Sequence, residues 1–170
     1  MGKTHLLNDR AKQHRRVMFL DPMGQFFDGL IFRNAKELLQ YFEQYDPEEF
    51  RVICRFREDE NHGDTETALR LAMELKNVLL VVDEVDRLTR EGQVSKTLWG
   101  IFNYYRHDKI SVLCCARRPA RVPRDLTGNA DEIISFKIQE PIDLKYLSEY
   151  GFSEDALRGL KKYEHISTLG

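Results

Sequence analysis

The amino-acid sequence predicts an α/β fold, a three-layer sandwich whose central sheet is mostly parallel. Two observations lead to this prediction. Short apolar runs with the length and β-branched composition of buried strands cover residues 17–20, 51–56, 78–82, 110–115 and 133–138. Segments in which apolar residues recur at helical spacing separate several of these runs, so the chain is organised as repeated βαβ units with right-handed crossovers.

Composition is consistent with one domain, residues 1–170, because a chain of 170 residues with 42% hydrophobic content can bury a sizeable core. The formal net charge of -2 gives no general attraction to nucleic acid. The sequence contains no signal-peptide pattern and no apolar run long enough to span a membrane, so we expect a soluble, cytoplasmic protein. Cys54, Cys114 and Cys115 lie in apolar runs and are interpreted as small buried hydrophobes rather than a disulfide or metal set.

The N-terminus carries the first candidate motif. Gly2, Lys3 and Thr4 match the last three positions of the phosphate-binding loop G-x-x-x-x-G-K-S/T, and residues 6–16 have the pattern of the helix that follows such a loop. Met1 would then be the last variable residue of the loop, and the first half of the loop, which would precede it, is absent. We therefore expect this chain by itself to bind nucleotide weakly or not at all, and an upstream coding extension with an apolar strand and a further glycine would indicate a misplaced start.

The next elements follow in a regular order. The strand at 17–20 ends at Asp21, and Asn34 with Glu37 three residues later predicts a capped helix that ends before Pro47. The strand at 51–56 precedes a polar loop at 57–64. Asp64 is predicted to cap the helix at 65–76.

The segment 77–86, NVLLVVDEVD, is the centre of the functional prediction. Five apolar residues end in Asp83 and Glu84, and open α/β sheets bind ligands at the carboxyl ends of their strands. In nucleotide-hydrolysing enzymes the first carboxylate of such a pair holds Mg²⁺ and the second orients or deprotonates a water molecule. The alternative is a strand followed by a solvated acidic turn. The glycine-lysine-threonine triplet upstream favours the nucleotide site.

The last third of the chain is interpreted in the same way. A helix beginning at Ser95 has an apolar stripe that we assign to the core rather than to a base-stacking platform, formed by Leu98, Trp99, Phe102 and Tyr105. A proline-punctuated connection joins the strands at 110–115 and 133–138. Ser153 is predicted to cap a final helix, with Phe152 and Leu157 in the positions of a hydrophobic staple.

Four segments in this order resemble the FtsK/HerA superfamily of DNA-pumping ATPases, which includes the genome-packaging ATPases of some viruses. They are the truncated GKT, VMFLDPMGQF, LLVVDEVDRL and SVLCCARRPARVPRDLTGNADEIISFKI, and the likeness spans residues 2 to about 147. The resemblance implies a RecA-like P-loop NTPase core that lacks its first strand. Because that strand is central in P-loop folds, its loss would leave a gap flanked by apolar strands.

The resemblance also implies the roles of the site residues. Gly2, Lys3 and Thr4 would bind ATP, with Lys3 on the β and γ phosphates; Thr4 and Asp83 would bind Mg²⁺, and Glu84 would activate water. Arg117 stands where the family usually has glutamine, and it either stabilises the transition state or forms a structural ion pair with Glu84. Candidates for DNA contact or for completing a neighbouring subunit's site are Arg106, Arg118, Arg121 and Arg124, with ordinary surface charges as the alternative.

The function implied is an ATP-dependent DNA translocase or genome-packaging motor that uses ATP and Mg²⁺. Its partners would be DNA, held without sequence preference, and further copies of the chain in a ring, in the host cytoplasm or in the virion if the protein is viral. One alternative is a non-hydrolysing interaction or regulatory module that keeps the fold. Another is an assembly or secretion ATPase resembling the zonular-occludens-toxin-like proteins, which usually carry a membrane segment.

Overall fold

The computed structural model describes residues 2–56, 62–89, 96–104 and 109–169, and its centre is a five-stranded parallel sheet. The strands are β1 Arg16–Leu20, β2 Leu30–Phe32, β3 Phe50–Cys54, β4 Leu79–Val82 and β5 Ser111–Cys114. Their order across the sheet is β2-β3-β1-β4-β5, and every adjacent pair is parallel. The predicted α/β fold with a mostly parallel sheet is confirmed.

The central strands are apolar throughout because both faces of the sheet are covered. In β4, Leu80 and Val82 belong to the core on one face, whereas Leu79 and Val81 belong to the core on the other. The same alternation runs along β1, whose Val17 pairs with Leu79. Two separate helical layers therefore sandwich one sheet, which gives the predicted three layers.

The helices are α1 Gly2–Ala11, α2 Ala35–Tyr45, α3 His62–Leu75, α4 Val85–Leu88, α5 Lys96–Tyr104, α6 Arg124–Gly128, α7 Pro141–Ser148 and α8 Glu154–Gly159, with a short 3₁₀ turn at Pro119–Arg121. Helix α1 packs on one face of the sheet through Leu7 and Ala11. Helices α2, α3 and α5 contribute Leu38, Leu69 and Leu98 to the core of the other face. Within the described ranges, no helix is long and apolar enough to cross a membrane.

Several helix boundaries test the local predictions. The cap of α2 is confirmed, since the side-chain oxygen of Asn34 accepts a 2.9 Å hydrogen bond from the Glu37 amide. The prediction that Asp64 caps the next helix is wrong, because α3 already begins at His62 and Asp64 lies in its first turn. In the predicted stripe of α5, Leu98 and Phe102 are buried, whereas Trp99 is 43% exposed. Ser95 and Tyr105 lie outside the described residues.

The C-terminal part forms a smaller unit beside the sheet. The run 133–138 does contain a strand, β6 Ile134–Phe136, but β6 pairs antiparallel with β7 His165–Ser167 and not with the parallel sheet. Strand β7 and helix α7 were not predicted from the sequence. The cap of α8 is confirmed because the Ser153 hydroxyl accepts a hydrogen bond from the Ala156 amide, and both staple residues are buried in a third apolar cluster with Leu144 and Leu147.

Candidate functional site

Asp83 and Glu84 lie at the carboxyl end of β4, between the ends of β1 and β5. Asp83 continues the ladder, since its amide donates to the Leu20 carbonyl at 3.0 Å. Glu84 adopts a left-handed backbone with φ 52, and the Val85 amide then donates to the Cys115 carbonyl at 2.8 Å. Both carboxylates are buried, with exposures of 2% and 3%. The two acids are therefore buried and hydrogen-bonded through their backbone to the neighbouring strand ends, which excludes the alternative interpretation of a solvated acidic turn.

Asp83 has one satisfied and one unsatisfied carboxylate oxygen. The Cys115 thiol donates to Oδ1 at 2.9 Å, whereas Oδ2 is buried and accepts no hydrogen bond from the described residues. Burial raises the pKa of this carboxyl group, and the nearby Asp21 raises it further, while the Cys115 hydrogen bond, Lys3 and Arg117 oppose the shift. A buried carboxylate oxygen without a donor is suited to a cation.

The donor set fits magnesium rather than a metal held entirely by protein. Among the described residues there is no cluster of three or more His, Cys, Asp or Glu side chains that could hold a metal ion. Mg²⁺ usually keeps several waters and takes only one or two carboxylates together with substrate phosphates. Asp83 with its free Oδ2 meets this requirement.

Glu84 is held by two arginines. Its Oε1 is in contact with Nε of Arg117, and its Oε2 lies 2.6 Å from Nε of Arg87. The second contact is an ion pair without a hydrogen bond, since Oε2 accepts none in the described part of the chain. Of the two alternatives for Arg117, the structure contains the ion pair with Glu84. The contact with Arg87 was not predicted, although its spacing of three residues on the short helix α4 is a usual one for ion pairs.

The first turn of α1 reaches the same end of the sheet. Nζ of Lys3 donates to the Ala116 carbonyl, which follows β5, at 2.8 Å. The Thr4 hydroxyl donates to the side-chain oxygen of Gln25 at 2.6 Å, in the loop after β1. Gly2 lies against the Phe136 ring, where an added Cβ would approach a ring carbon to 2.7 Å. The structure therefore brings the start of α1 next to the acidic turn.

Asp21, at the end of β1, has a structural role in the loop that Thr4 contacts. It is fully buried, accepts hydrogen bonds from the Gln25 and Phe26 amides, and forms a 2.8 Å ion pair with Arg55. These bonds close the loop after β1. Asp21 thus holds Gln25, whose side chain accepts from the Thr4 hydroxyl, and it adds negative potential near Asp83.

The arginine candidates do not behave as one basic surface. Arg118 forms a 2.7 Å ion pair with Asp143, which is buried, and Arg124 lies 2.5 Å from Glu149. The sequence around Arg118, Arg121 and Arg124 contains few acids and suggests an unbalanced positive charge, but acids from α7 and the residue after it, some 25 positions along the chain, balance two of these arginines. Only Arg121 is without a side-chain partner among the described residues, and Arg106 lies outside them.

A groove runs between β5 and β6. Strand β5 is the edge of the parallel sheet and, in the described ranges, pairs only with β4. The cavity beside it has a volume of about 440 Å³, and its lining includes Lys3, Leu7, Val112, Leu126 and Phe136. The groove therefore lies along this edge of the sheet, next to the start of α1.

Like Arg87, the residues Cys115 and Asp143 were not identified from the sequence as site residues. Cys115 was expected to be a simple buried hydrophobe, yet it donates to Asp83, and burial raises its pKa to about 12 so that the thiol keeps its proton. Its position directly after a strand end was the available signal. No local pattern connects Asp143 with Arg118, because the contact is created by the packing of α7 on the 3₁₀ turn.

Comparison with solved structures identifies the fold. The genome-packaging NTPase B204 of Sulfolobus turreted icosahedral virus 2, in complex with AMPPCP, is 17% identical over 98% of this chain and 85% of that chain, with a TM-score of 0.75. The same protein in complex with AMP gives 16% identity, the same coverage and a TM-score of 0.74. B204 of Sulfolobus turreted icosahedral virus, described as a DNA-packaging ATPase, gives 17% identity over 97% and 82% of the two chains and a TM-score of 0.68.

No protein-family model and no curated protein sequence matches the chain. At this level of identity the structural similarity establishes the fold, which extends over nearly the whole chain. The fold predicted from the resemblance to DNA-pumping ATPases is thereby confirmed, since the matched structures are those of viral genome-packaging NTPases.

Proposed function

We propose that this protein is the ATPase of a DNA-moving motor of the viral genome-packaging type. The observation that carries the proposal is the meeting of Lys3, Asp83 and Glu84 at the carboxyl ends of parallel strands. The fold is shared with packaging NTPases that were determined with ATP analogues and with AMP, which supports a nucleotide as the ligand. A motor of this kind would act in the host cytoplasm or in the virion.

The phosphates would bind at the start of α1. The first amides of a helix have no partners within the helix, and together with the helix dipole they attract anions. Lys3 would leave the Ala116 carbonyl for the β and γ phosphates, and the Thr4 hydroxyl would exchange Gln25 for the metal. Gly2 permits close approach of the backbone. These are the roles that the resemblance implies for the three residues.

Mg²⁺ would be held by Oδ2 of Asp83 together with Thr4 and the phosphates. When bound, the ion neutralises charge that develops on the phosphate oxygens. The residues present fit this group, because Asp83 offers a buried oxygen without a donor. Occupation of that oxygen would also offset the cost of burying the carboxylate.

Glu84 would act as the general base, and Arg117 would control its availability. In the structure both Glu84 oxygens are paired with arginines, so the carboxylate is occupied and is not free to orient a water molecule. Arg117 is 55% exposed at its side chain and so has room to turn toward a triphosphate, which carries more negative charge than one carboxylate. Glu84 is then freed to orient water while Arg117 stabilises charge on the transferred phosphate.

The test uses a version of the chain extended at its N-terminus by an apolar strand and the remaining loop residues, ending in Gly2-Lys3-Thr4. This version is expected to bind Mg-ATP in isothermal titration, and Glu84→Gln should retain binding while losing at least about 100-fold in turnover. Glu49→Gln is the matched control, because Glu49 is exposed and paired with Arg15 on the surface. Turnover of Glu84→Gln within about twofold of the control would contradict the assignment of the base.

Binding and turnover of the same proteins separate the alternatives. If the extended version binds nucleotide without turnover, the non-hydrolysing module is the better description. Low-micromolar binding by residues 1–170 alone would contradict our expectation that the second half of the loop is insufficient. DNA-stimulated turnover would support a motor rather than an assembly ATPase.

Arg121 is a better candidate for DNA contact than Arg118 or Arg124, because the side chains of Arg118 and Arg124 form ion pairs with acids. If Arg121 grips a phosphate, Arg121→Ala should weaken binding to unrelated DNA sequences alike and lower the log-log salt slope by roughly 0.9. If it completes the site of a neighbouring copy in a ring, turnover should vanish with the salt slope unchanged. Arg15→Ala is the control on a remote surface, and equal behaviour of the two variants would leave Arg121 as a surface charge.

A further inference from the structure

Cys115 touches the acidic turn at three points. Its amide donates to the Val82 carbonyl at 3.0 Å, its carbonyl accepts from the Val85 amide at 2.8 Å, and its thiol donates to Oδ1 of Asp83 at 2.9 Å. The backbone bonds fix where Asp83 sits, and they would be kept by any residue at position 115. Only the thiol acts on the Asp83 side chain.

The thiol contact decides which oxygen of Asp83 is available. With Oδ1 occupied by Cys115, the carboxylate presents Oδ2, which is buried and accepts no hydrogen bond from the rest of the described chain. Without this contact no hydrogen bond from the described residues would fix the Asp83 side chain about χ1 and χ2. A thiol is a weak donor, so its effect is on orientation more than on stability.

We propose that Cys115 is a positioning residue that holds Asp83 in the rotamer in which Oδ2 faces the cation. This inference rests on the proposed function, in which Asp83 is a magnesium ligand. Residues that orient a ligating carboxylate from outside the coordination sphere typically change metal affinity by about 10-fold or more when they are removed. The proposal differs from an ordinary core role, which would affect stability and leave the rotamer and the metal affinity unchanged.

The chain supplies a matched control in Cys114. The two neighbouring cysteines pack on opposite faces of the sheet, with Cys114 against the core that contains Val82 and Cys115 against the core that contains Val81. Both thiols are free, and only Cys115 donates to a carboxylate among the described contacts. Replacing either cysteine removes one sulfur from the same edge strand region, but only one replacement removes the donor to Asp83.

The experiment measures the Asp83 rotamer and the metal affinity of the same variants. Three-bond couplings to the Asp83 carboxyl carbon, measured by NMR on the chain without metal, should report one χ1 rotamer in the parent, in Cys115→Ser and in Cys114→Ala. Cys115→Ala should show averaged couplings. Cys115→Val, whose side chain leaves no cavity and lacks the donor, serves as the second variant if the alanine variant folds poorly.

Metal affinity is measured with Mn²⁺ as the probe. Binding is followed by the paramagnetic broadening of the NMR signals of residues 82–85. Cys115→Ala and Cys115→Val should need about 10-fold more Mn²⁺ than the parent, and Cys115→Ser should restore the parent value. Unchanged couplings in both Cys115 variants would overturn the inference, as would averaged couplings with unchanged Mn²⁺ affinity. If no variant, including the parent, binds Mn²⁺ while the couplings still average, the thiol does position Asp83 and it is the proposed metal site that fails.

Discussion

Replacing Arg118 with alanine should destabilise the protein far more than its position in a surface connection suggests. Its Nε donates to Oδ2 of Asp143 at 2.7 Å, and the Asp143 side chain is only 3% exposed. The substitution leaves the buried carboxylate with the Ala120 amide as its remaining donor, at 2.9 Å. Loss of one partner of a fully buried pair costs about 3–5 kcal/mol, and the 39% exposure of Arg118 reduces the expected cost here to roughly 2 kcal/mol.

Arg124→Ala is the control variant, because it removes an exposed ion pair instead of a buried one. Its partner Glu149 is 41% exposed, and exposed ion pairs contribute at most about 1 kcal/mol. For a chain of this size about 2 kcal/mol corresponds to a fall of roughly 4–8 °C in Tm. Urea unfolding followed by circular dichroism should give the free-energy difference directly. If Arg118→Ala loses no more stability than Arg124→Ala, the Asp143 contact does not anchor the connection and our account of Arg118 is wrong.

Three further predictions concern single residues. Burial raises the pKa of the Asp83 carboxyl group in the folded state. The protonated carboxyl group therefore stabilises the fold fully below the ordinary pKa of 3.8, and this contribution is lost as pH rises through the raised pKa. Asp83→Asn should raise Tm at pH 7 relative to the parent and lose this advantage near pH 4. Asn34→Ala removes the α2 cap and should cost about 1 kcal/mol in urea unfolding, with no measurable cost refuting the cap. Gly29→Ala would place a Cβ 2.7 Å from the Arg51 carbonyl oxygen and should lower Tm, whereas Gly128→Ala, with open space around its Cβ, should not.

The sequence by itself determined the parallel core of this protein. Residues 17–20 and 78–82 are apolar at every position, and only strands covered on both faces require that pattern. The acidic turn was predictable for the same reason, since Asp83 and Glu84 end such a run. The caps at Asn34 and Ser153 were predictable because they depend on contacts three residues away.

Only the tertiary structure determined the long-range side-chain contacts in and around the site. The Arg117–Glu84 pair, the Arg118–Asp143 pair and the Cys115–Asp83 hydrogen bond join residues 25 to 33 positions apart. The first and the last form because the parallel strands β4 and β5 end side by side, and the second forms because α7 packs on the 3₁₀ turn. Strand β6 was assigned by its apolar run, but its antiparallel pairing with β7 depends on the packing of α7 and α8. Apolar patterning specifies that a segment is buried, whereas its neighbours are fixed by the packing of distant elements, and a single sequence carries little local signal for that packing.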